Sequence, residues 1–553
     1  MKLKNLTQDE SIGDLNSDDF SSKYHYKDIH IIFSEGLLEE PIYDFIKRIP
    51  PEIKIVLWSV TINTNNFLFT KLLKMISIIE KINFLSLEKL YSIKAKNTMI
   101  KECAIEDFPR KFLNTYSSNS LKLFLVNPDL LNIDVINSGG NYIATNINPK
   151  TLSIFSLKST LDKNDYKELN IISSVAERSL ITMKHGLTSL FLLNKFKIEY
   201  AILDNFYSFL LMDKEVFDSQ TRNTLTAFQD SNNLTFLSLA RYFLNTIILK
   251  VKGRIKSNLE SSFNIDSLSE SWSVGCLDNE TGKTFTLPGF FNYHLADPFI
   301  FEHKGISYCF VEKFDFKSNG EIHVYDLDSR KYLGLALKEV FHLSFPFIFT
   351  HNNNIYMLPE TSANNDIRLY EAKNFPFEWS LISVLKSNIR AADSLIFQNE
   401  NKWFLVTSIP SSIVDNDFHS LKIFTSDNLF GPFEGENSMQ NIFNDSVVGR
   451  SAGYFKKLNS HFRVSQYYGY DCYGKSAQIN KINTITENSY IEEESMLETV
   501  GSLKKCANEL AVGFKRTGFH HISMNDKYTV FDFKIKPKLL KMISISQSKM
   551  PWI

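Results

Sequence analysis

The sequence has little cysteine, little glycine and no excess of charge of either sign. Its 553 residues include 5 Cys, 21 Gly and 15 Pro, and 61 Lys and Arg stand against 62 Asp and Glu, for a formal net charge of -1. The cysteines show no CxxC spacing, which argues against a disulfide framework and a thiolate zinc site and favours a reducing compartment. Balanced charge argues against a nucleic-acid partner.

Long apolar runs are also lacking. The first twenty residues turn polar and acidic at once, so we see no signal peptide. No uncharged apolar stretch reaches the roughly 18 residues that a membrane helix needs. We therefore predict a cytoplasmic protein without an integral membrane segment, for which peripheral membrane association stays open. The oligomeric state is not predicted.

The length exceeds what one hydrophobic core usually fills, so two domains are expected. Residues 1–25 are rich in Ser, Asp and Asn and are predicted to be disordered. In residues 26–258, strand patterns at 28–33 and 53–58 alternate with helical patterns such as 66–82. This alternation predicts an α/β domain with a parallel sheet. Residues 259–553 form the second predicted domain.

A repeat of about 50 residues dominates the second domain. "ADPFIFEHKGISYCFVE" from Ala296, "SFPFIFTHNNNIYMLPE" from Ser344 and "ADSLIFQNENKWFLVTS" from Ala392 share one template of two strands and a polar turn. "RSAGYFKKLNSHFRVSQ" from Arg450 is the fourth unit, and a weaker fifth begins at Gly501. Five radial four-stranded units predict an all-β five-bladed propeller, with the strand at 271–278 closing the ring.

Equivalent positions at the start of each blade's first strand converge on the propeller axis. The second position of the template holds Asp297, Phe345, Asp393 and Ser451. Glu312 and Glu360 end the second strands of blades one and two, where an unpaired carboxylate is costly. Such carboxylates can supply the acid and the base of glycosidic-bond chemistry. For any single one, a structural bond to the neighbouring blade is an equally good interpretation.

Other polar residues are placed near this axis by the same repeat. His342, Arg450 and Gln466 are predicted to bind the hydroxyls or phosphate of a substrate, with Tyr473 and Gly474 at the rim. "FHHIS" places His520 and His521 on opposite faces of a predicted strand, which argues against a shared metal. We therefore predict no metal and no cofactor.

Many ordered motifs over about 270–535 carry a resemblance. They are "LADPFIF", "FHLSFPFIF", "YMLPETS", "IRLYEAKNFPFEW", "AADSLIF", "LFGPFE", "GRSAGYF", "FRVSQYYGYDCYGKS" and "TGFHHIS". This region resembles the N-terminal domain of plant glucosamine inositolphosphorylceramide transferases and its bacterial relatives, a propeller similar to glycoside hydrolase families 32, 43 and 68. The resemblance implies that Asp297 is the base or nucleophile, with Glu360 chosen as the acid and Asp393 as the third carboxylate. In the plant proteins the glycosyl transfer belongs to a C-terminal domain that we expect this chain to lack.

Bacterial relatives of this type often carry an N-terminal domain resembling formyltransferases. Residues 26–258 could be such a Rossmann-like domain by their α/β pattern. Formyl transfer needs an Asn, a His and an Asp to polarise the carbonyl and accept a proton. This chain has no Asn-x-His pair there, and it reads Leu157 and Lys158 where relatives carry His. We therefore expect a degenerate formyltransferase-like domain.

The favoured function is a carbohydrate-active protein of bacterial surface polysaccharide or glycolipid biosynthesis. It would be a glycosyl- or sugar-modifying transferase that acts on a sugar nucleotide or glycan at the propeller axis, through Asp297, Glu312, Glu360 and Asp393; glycoside hydrolysis is less favoured. One alternative is a sugar N-formyltransferase with an auxiliary propeller. A second is a non-catalytic glycan-binding module.

Overall fold

A computed structural model describes two regions of the chain. The first consists of seven strands and scattered helical residues between 28 and 251. The second covers most of 270–537, without 290–292, 316–317, 411–417, 434–444, 459, 470–471 and 487–489. Two units separate by their internal contacts, one within 1–239 and one that contains 240–553 together with 163–167 and 184–189. The predicted domain limits stay predictions, and the segment 1–25 and the helix at 66–82 lie outside the described residues.

The first unit contains a seven-stranded sheet. Its strands are β1 Asp28–Phe33, β2 Lys54–Thr61, β3 Thr98–Ala104, β4 Ser120–Phe124, β5 Tyr142–Thr145, β6 Tyr166–Ser173 and β7 Ser179–Gly186. Their order is β3-β2-β1-β4-β5-β6-β7. The first four pairings along this order are parallel, and β5 pairs antiparallel with β6.

Buried apolar side chains explain β1, an interior strand of this sheet. In β1, every residue after Asp28 is buried, as expected for a parallel strand covered on both faces. His30 is also buried and accepts a hydrogen bond from the Trp58 indole at 2.9 Å. Few helical residues of this unit are described, among them 197–203. The Rossmann-like and formyltransferase-like character therefore stays a prediction.

The second unit is the predicted five-bladed propeller. Blade one consists of β10 His294–His303, β11 Ile306–Phe314, β12 Glu321–Asp326 and β13 Lys331–Leu337. Blade two consists of β14 Ser344–His351, β15 Asn354–Glu360, β16 Asp366–Asn374 and β17 Glu378–Ser387. Each blade is an antiparallel meander whose inner strands are largely buried. The 48-residue repeat is thus confirmed as a blade.

Blades three and four continue the pattern. Three strands are described in blade three: β18 Ala392–Asn399, β19 Lys402–Ile409 and β20 Ser420–Ser426. Blade four consists of β21 Ser451–Lys457, β22 Ser460–Gly469, β23 Cys472–Ile485 and β24 Tyr490–Ser495.

Blade five joins the two ends of the propeller sequence. It consists of β25 Phe514–Gly518, β26 Ile522–Met524 and β27 Tyr528–Pro537, together with β8 Ser271–Asp278 and β9 Thr284–Thr286. Strand β8 pairs with β27 over its whole length, which confirms the strand predicted to close the ring.

The fifth template unit was misaligned. The segment from Gly501 is not a strand but part of helix α1, Leu497–Leu510. This helix buries Val500, Leu503 and Ala507, whose spacing of three and four residues defines one helical face. The inner strand of blade five is instead β26.

The first strand of four blades carries a bulge near its start. Register breaks lie between Ala296 and Phe299, between Ser344 and Phe347, between Ala392 and Leu395, and between Ser451 and Tyr454. In the first three blades the second template residue has a left-handed φ of 52°, 48° and 52°, at Asp297, Phe345 and Asp393 respectively. Bulges re-aim side chains, so these three point away from the regular pleat.

In the part of the chain that the structure describes, no helix is long and apolar enough to cross a bilayer.

Candidate functional site

Two buried aspartates occupy equivalent bulge positions of blades one and three. Asp297 is 6% exposed and Asp393 is 1% exposed. The charges of Asp393, Glu312 and Glu360 all raise the pKa of Asp297, so these three carboxyl groups lie near it. The predicted convergence of these four side chains is therefore present in the structure, while their catalytic roles stay predictions.

Blade four departs from the predicted alignment. Its strand begins at Ser451, and the break between Ser451 and Tyr454 matches the three-residue break of the other blades. The second position is therefore Ala452, and Ser451 was assigned one place too early. Gly453, with φ 131°, supplies the positive φ of this bulge, which a glycine adopts without strain.

Glu312 and Glu360 are equivalent residues on neighbouring blades. Glu312 pairs in register with Ala296, and Glu360 pairs with Ser344. Their partners differ, however. Glu360 Oε2 accepts the backbone N–H of Asp393 at 3.3 Å, so it links blade two to blade three.

Glu312 contacts a histidine instead. Its Oε1 lies 2.9 Å from Nε2 of His342. The other ring nitrogen of His342 accepts the backbone N–H of Gly320 at 2.9 Å, which leaves the proton on Nε2 in the neutral ring. Burial lowers the pKa of His342, but the hydrogen bond to Glu312 and the charge of Glu312 together outweigh burial, so this pKa is raised.

Arg450 and Gln466 hold the Asp393 carboxylate. Arg450 Nε lies 2.5 Å from Asp393 Oδ2, and Gln466 Nε2 donates to the same oxygen at 3.1 Å. Arg450 also donates to the Tyr468 hydroxyl at 3.1 Å, and its Nη2 lies 4.0 Å from Glu360 Oε2. The predicted positions of Arg450 and Gln466 beside the acidic group are therefore present.

Gln466 leaves one polar atom unused. Its Oε1 is buried and has no hydrogen-bond partner among the residues that the structure describes. A buried acceptor without a donor is costly, and it is a natural partner for a ligand hydroxyl.

The predicted rim residue Tyr473 lies beside this group. It is 38% exposed, and its ring lies 5.4 Å from the Arg450 guanidinium carbon. Its ring also meets the rings of Tyr468 and His520 edge-on. An aromatic side chain at such a rim offers an apolar face to a sugar ring.

Sequence reasoning assigned no site role to three residues of blade five and its connections. His520 and Asp532 are joined by a bond of 2.6 Å between Nδ1 and Oδ1, and Trp272 stacks on the His520 ring at 3.9 Å. His520 and His521 lie in the connection between β25 and β26, so their placement on opposite faces of a strand was wrong. One feature of the sequence could have identified Asp532, because it is a charged residue inside the apolar strand β27.

Burial and mutual repulsion raise the pKa of two of the carboxyl groups. Desolvation, and then the charges of Asp393, Glu312, Asp532 and Glu360, raise the pKa of Asp297 well above its usual range. Desolvation and the Asp393 charge also raise the pKa of Glu360 well above its usual range, although Arg450 opposes this. The surroundings of these two carboxyl groups therefore favour their protonated form.

Asp297, His520 and Asp532 are also a set that could ligate a metal, since their ligand atoms lie within 4.8 Å of one another. Protein donors already occupy Asp532, however. Its Oδ1 accepts the backbone N–H groups of His520 and His521, and its Oδ2 accepts that of Asp297. A metal bound here would have to displace these bonds.

Chemically, the axis combines a proton donor, a fixed carboxylate, a cation and an unused amide oxygen. Such a group can bind a polyhydroxylated ligand and move a proton at an ether or hydroxyl oxygen.

One known protein family matches the region of the chain that contains the propeller. Residues 260–529 match the family described as "Glucosamine inositolphosphorylceramide transferase 1, N-terminal". The predicted resemblance of this region is thereby confirmed.

Curated relatives carry the same name. The chain is 32% identical over 225 residues to glucosamine inositolphosphorylceramide transferase 1 of Arabidopsis thaliana, and 32% identical over 222 residues to that of Oryza sativa subsp. japonica. These matches cover 39% and 38% of this chain but only 29% of each relative. Among solved structures, a thermostable family-43 glycoside hydrolase aligns at a TM-score of 0.30 and 14% identity, over 44% of this chain and 88% of that one.

Proposed function

We propose that this protein is a carbohydrate-active transferase of glycolipid or surface-polysaccharide biosynthesis, and that its propeller axis binds a sugar nucleotide or glycan. The observation that carries the proposal is the axial group itself. It joins Glu360 and Asp297, both with raised pKa, to Asp393 held by Arg450 and Gln466.

Each residue has a role in this proposal. Glu360 donates a proton to the oxygen that leaves, and Asp297, once ionised, acts as the base or nucleophile. Asp393 and Arg450 fix the position of the sugar, and Gln466 Oε1 accepts one of its hydroxyl hydrogens. His342 and Glu312 contact a further hydroxyl or a phosphate, while Tyr473 covers the ring from the rim.

The glycolipid part of the proposal rests on the curated relatives. Their names describe transferases of glucosamine inositolphosphorylceramide, and the matching segment spans less than a third of their length. The sugar and the acceptor of this chain are therefore proposed only by class. The cytoplasmic location and the bacterial setting stay predictions from the sequence.

A non-catalytic glycan-binding module is the second candidate. One observation favours it: Glu360 and Asp532 each accept a backbone N–H from the next blade, which is a structural task. In that case the axis would bind the same sugars without turning them over. The N-formyltransferase alternative would place the chemistry in the first unit, whose described residues include the seven-stranded sheet.

Asp297→Asn is the variant that tests the proposal. Asn tolerates the left-handed φ of 52° at this position, so the bulge should survive. Wild type and variant are compared for turnover and for binding across a panel of sugar nucleotides and glycans, with thermal melts as the folding check. Asp427→Asn is the matched control, because this aspartate is exposed and pairs only with Lys402 among the described contacts.

We expect Asp297→Asn to lose turnover by about 10² to 10⁴-fold while it retains binding and a cooperative thermal melt. Asp427→Asn should behave as wild type. Binding without turnover in both proteins would support the glycan-binding module instead. No binding of any sugar by wild type would contradict both candidates.

A further inference from the structure

Four apolar side chains form an exposed stripe on helical residues between 237 and 251. Its members are Leu237, Leu244, Ile248 and Val251, which are 80%, 61%, 41% and 49% exposed. All four are helical, and their successive spacings of seven, four and three residues place them on one face of an α-helix. Single exposed leucines are common on protein surfaces, but an apolar set on one helical face indicates a surface that binds a partner.

The opposite side of these helical residues faces the protein. Tyr242 is 3% exposed, and it lies about 160° from Leu244 around the helix axis. The helical residues Ala240 and Arg241, which come just before it, are both exposed. A long arginine stem can lie along an apolar surface while its charge stays in water. The helix is therefore covered on one side and open on the side of the exposed stripe.

The sequence around the exposed stripe carries positive charge alone. Residues 231–259 contain no Asp or Glu, and they contain five cations: Arg241, Lys250, Lys252, Arg254 and Lys256. Four of these cations fall within the seven residues 250–256, although the whole chain has a net charge of -1. An apolar stripe beside concentrated positive charge complements a surface that is apolar inside and anionic outside.

A second copy of the chain is a weaker candidate for covering the stripe. Positions at seven-residue spacing also fit a coiled-coil seam, but this stripe extends over only two heptads. A sustained seam takes about three to four heptads. An exposed Arg241 also lies among the apolar positions. A bilayer accommodates it, because apolar side chains enter the acyl boundary while arginine and lysine reach the headgroups.

We propose that the exposed stripe is a docking surface for an anionic lipid bilayer. Its apolar side chains enter the boundary between headgroups and acyl chains, and the cations beside it attract the lipid phosphates. At the rise of an α-helix the stripe is about 21 Å long, less than the roughly 30 Å apolar core, so it lies along the surface. The inference does not rest on the proposed function, since lipid binding needs no sugar chemistry.

Sedimentation of the full-length protein with vesicles tests the proposal. Vesicles of phosphatidylcholine are compared with vesicles that also contain phosphatidylglycerol. We expect wild type to bind the anionic vesicles about tenfold or more tightly than the neutral ones, and high salt to weaken this binding. A wild-type protein that binds neither kind of vesicle would overturn the proposal.

Leu244→Gln combined with Ile248→Gln removes apolar area from the stripe. Both side chains are exposed, so a thermal melt should show the fold intact. This double variant should bind anionic vesicles about tenfold or more weakly than wild type. Val340→Gln combined with Val512→Gln is the matched control, because these valines are 91% and 77% exposed at other places. Equal losses in the two double variants would contradict a role of the stripe.

Lys252→Gln combined with Lys256→Gln tests the charge beside the stripe. Binding to anionic vesicles should fall by about tenfold or more, and binding to neutral vesicles should not change. Lys456→Gln combined with Lys457→Gln removes the same charge from exposed positions at the end of β21 and should bind as wild type does. If both pairs weaken binding equally, the attraction comes from overall charge and the proposal is wrong.

Leu244→Trp keeps the stripe apolar and reports whether it enters the bilayer. Above the background of the five native Trp, lipids brominated on their acyl chains should quench Leu244→Trp more than Val340→Trp. Equal quenching of the two variants would contradict insertion. Sedimentation velocity separates the second copy: a dimer that Leu244→Gln with Ile248→Gln dissociates, without vesicle binding by wild type, would overturn the proposal.

Discussion

Two arginine–carboxylate pairs of this propeller have different surroundings. In blade four, Arg463 is 0% exposed and binds Glu492 through two bonds of 2.8 and 2.5 Å. It also donates to the carbonyl of Val448 and the hydroxyl of Ser451, and Tyr490 donates to Glu492. One cation meets one anion there, and neighbouring groups occupy most of the remaining polar capacity.

At the axis, Arg450 serves a group with more carboxyls than cations. It binds Asp393, but Glu360, Asp297 and Glu312 also lie near this group, and the pKa values of Asp297 and Glu360 are raised there. Gln466 keeps an unused oxygen among the described contacts. We call Arg463–Glu492 the closed pair, because neighbouring groups fill its polar capacity, and Arg450–Asp393 the open pair. The difference teaches that a closed pair indicates a structural role, while an open pair with excess anions indicates a ligand site.

Breaking the closed pair should have the largest effect on stability. Arg463→Met leaves Glu492 buried without its cation, which typically costs about 3 to 5 kcal/mol. We expect a large fall in the melting temperature in a thermal scan. A variant that melts like wild type would show that the blade-four pair is not structural.

Breaking the open pair should cost less stability and more binding. In Arg450→Met the Asp393 carboxylate can keep its bond to Gln466 and accept a proton, so we expect a loss of about 1.5 to 3 kcal/mol. Calorimetric titration with the best sugar of the panel should show binding reduced by tenfold or more, whereas any folded fraction of Arg463→Met retains it. Equal binding losses in the two variants would show that the two pairs do not differ in their role in sugar binding.

The smallest expected effect is a change in pH dependence. A carboxyl group whose folded pKa lies above its unfolded value binds more protons in the folded state, so stability is lost as pH rises through that interval. Asp297 is such a group. Asp297→Asn should therefore melt higher relative to wild type at pH 8 than at pH 5, and no difference between the two pH values would mean that Asp297 is already ionised at pH 5 in the folded protein.

The repeat made most of the propeller predictable. Strand pairs at a constant spacing of 48 residues fix the blade, and they brought Asp297, Glu312, Glu360 and Asp393 to one axis. The same logic failed where the spacing changed. In blade four, Gly453 carries the positive φ of the bulge. Ser451 is the first template position there, although the sequence alignment assigned it to the second. In blade five, a buried helical face replaced the expected strand at Gly501.

The blade-five part of the site could not be read from local pattern. His520 and Asp532 are 12 residues apart and meet because β26 and β27 pair with His520 just outside the strand. Trp272 joins them from β8, about 250 residues earlier in sequence, through ring closure. Only the three-dimensional fold brings such distant positions together.

The central claim is that the open pair at the axis is a sugar site, and a crystal structure of Glu360→Gln with bound sugar tests it most directly. Gln keeps an oxygen for the Asp393 N–H but cannot donate the carboxyl proton, so a substrate should remain intact. We predict the sugar at the axis, with a hydroxyl on Gln466 Oε1 and contacts to Arg450. A sugar bound elsewhere on the protein, with the axis empty at saturating concentration, would contradict the account.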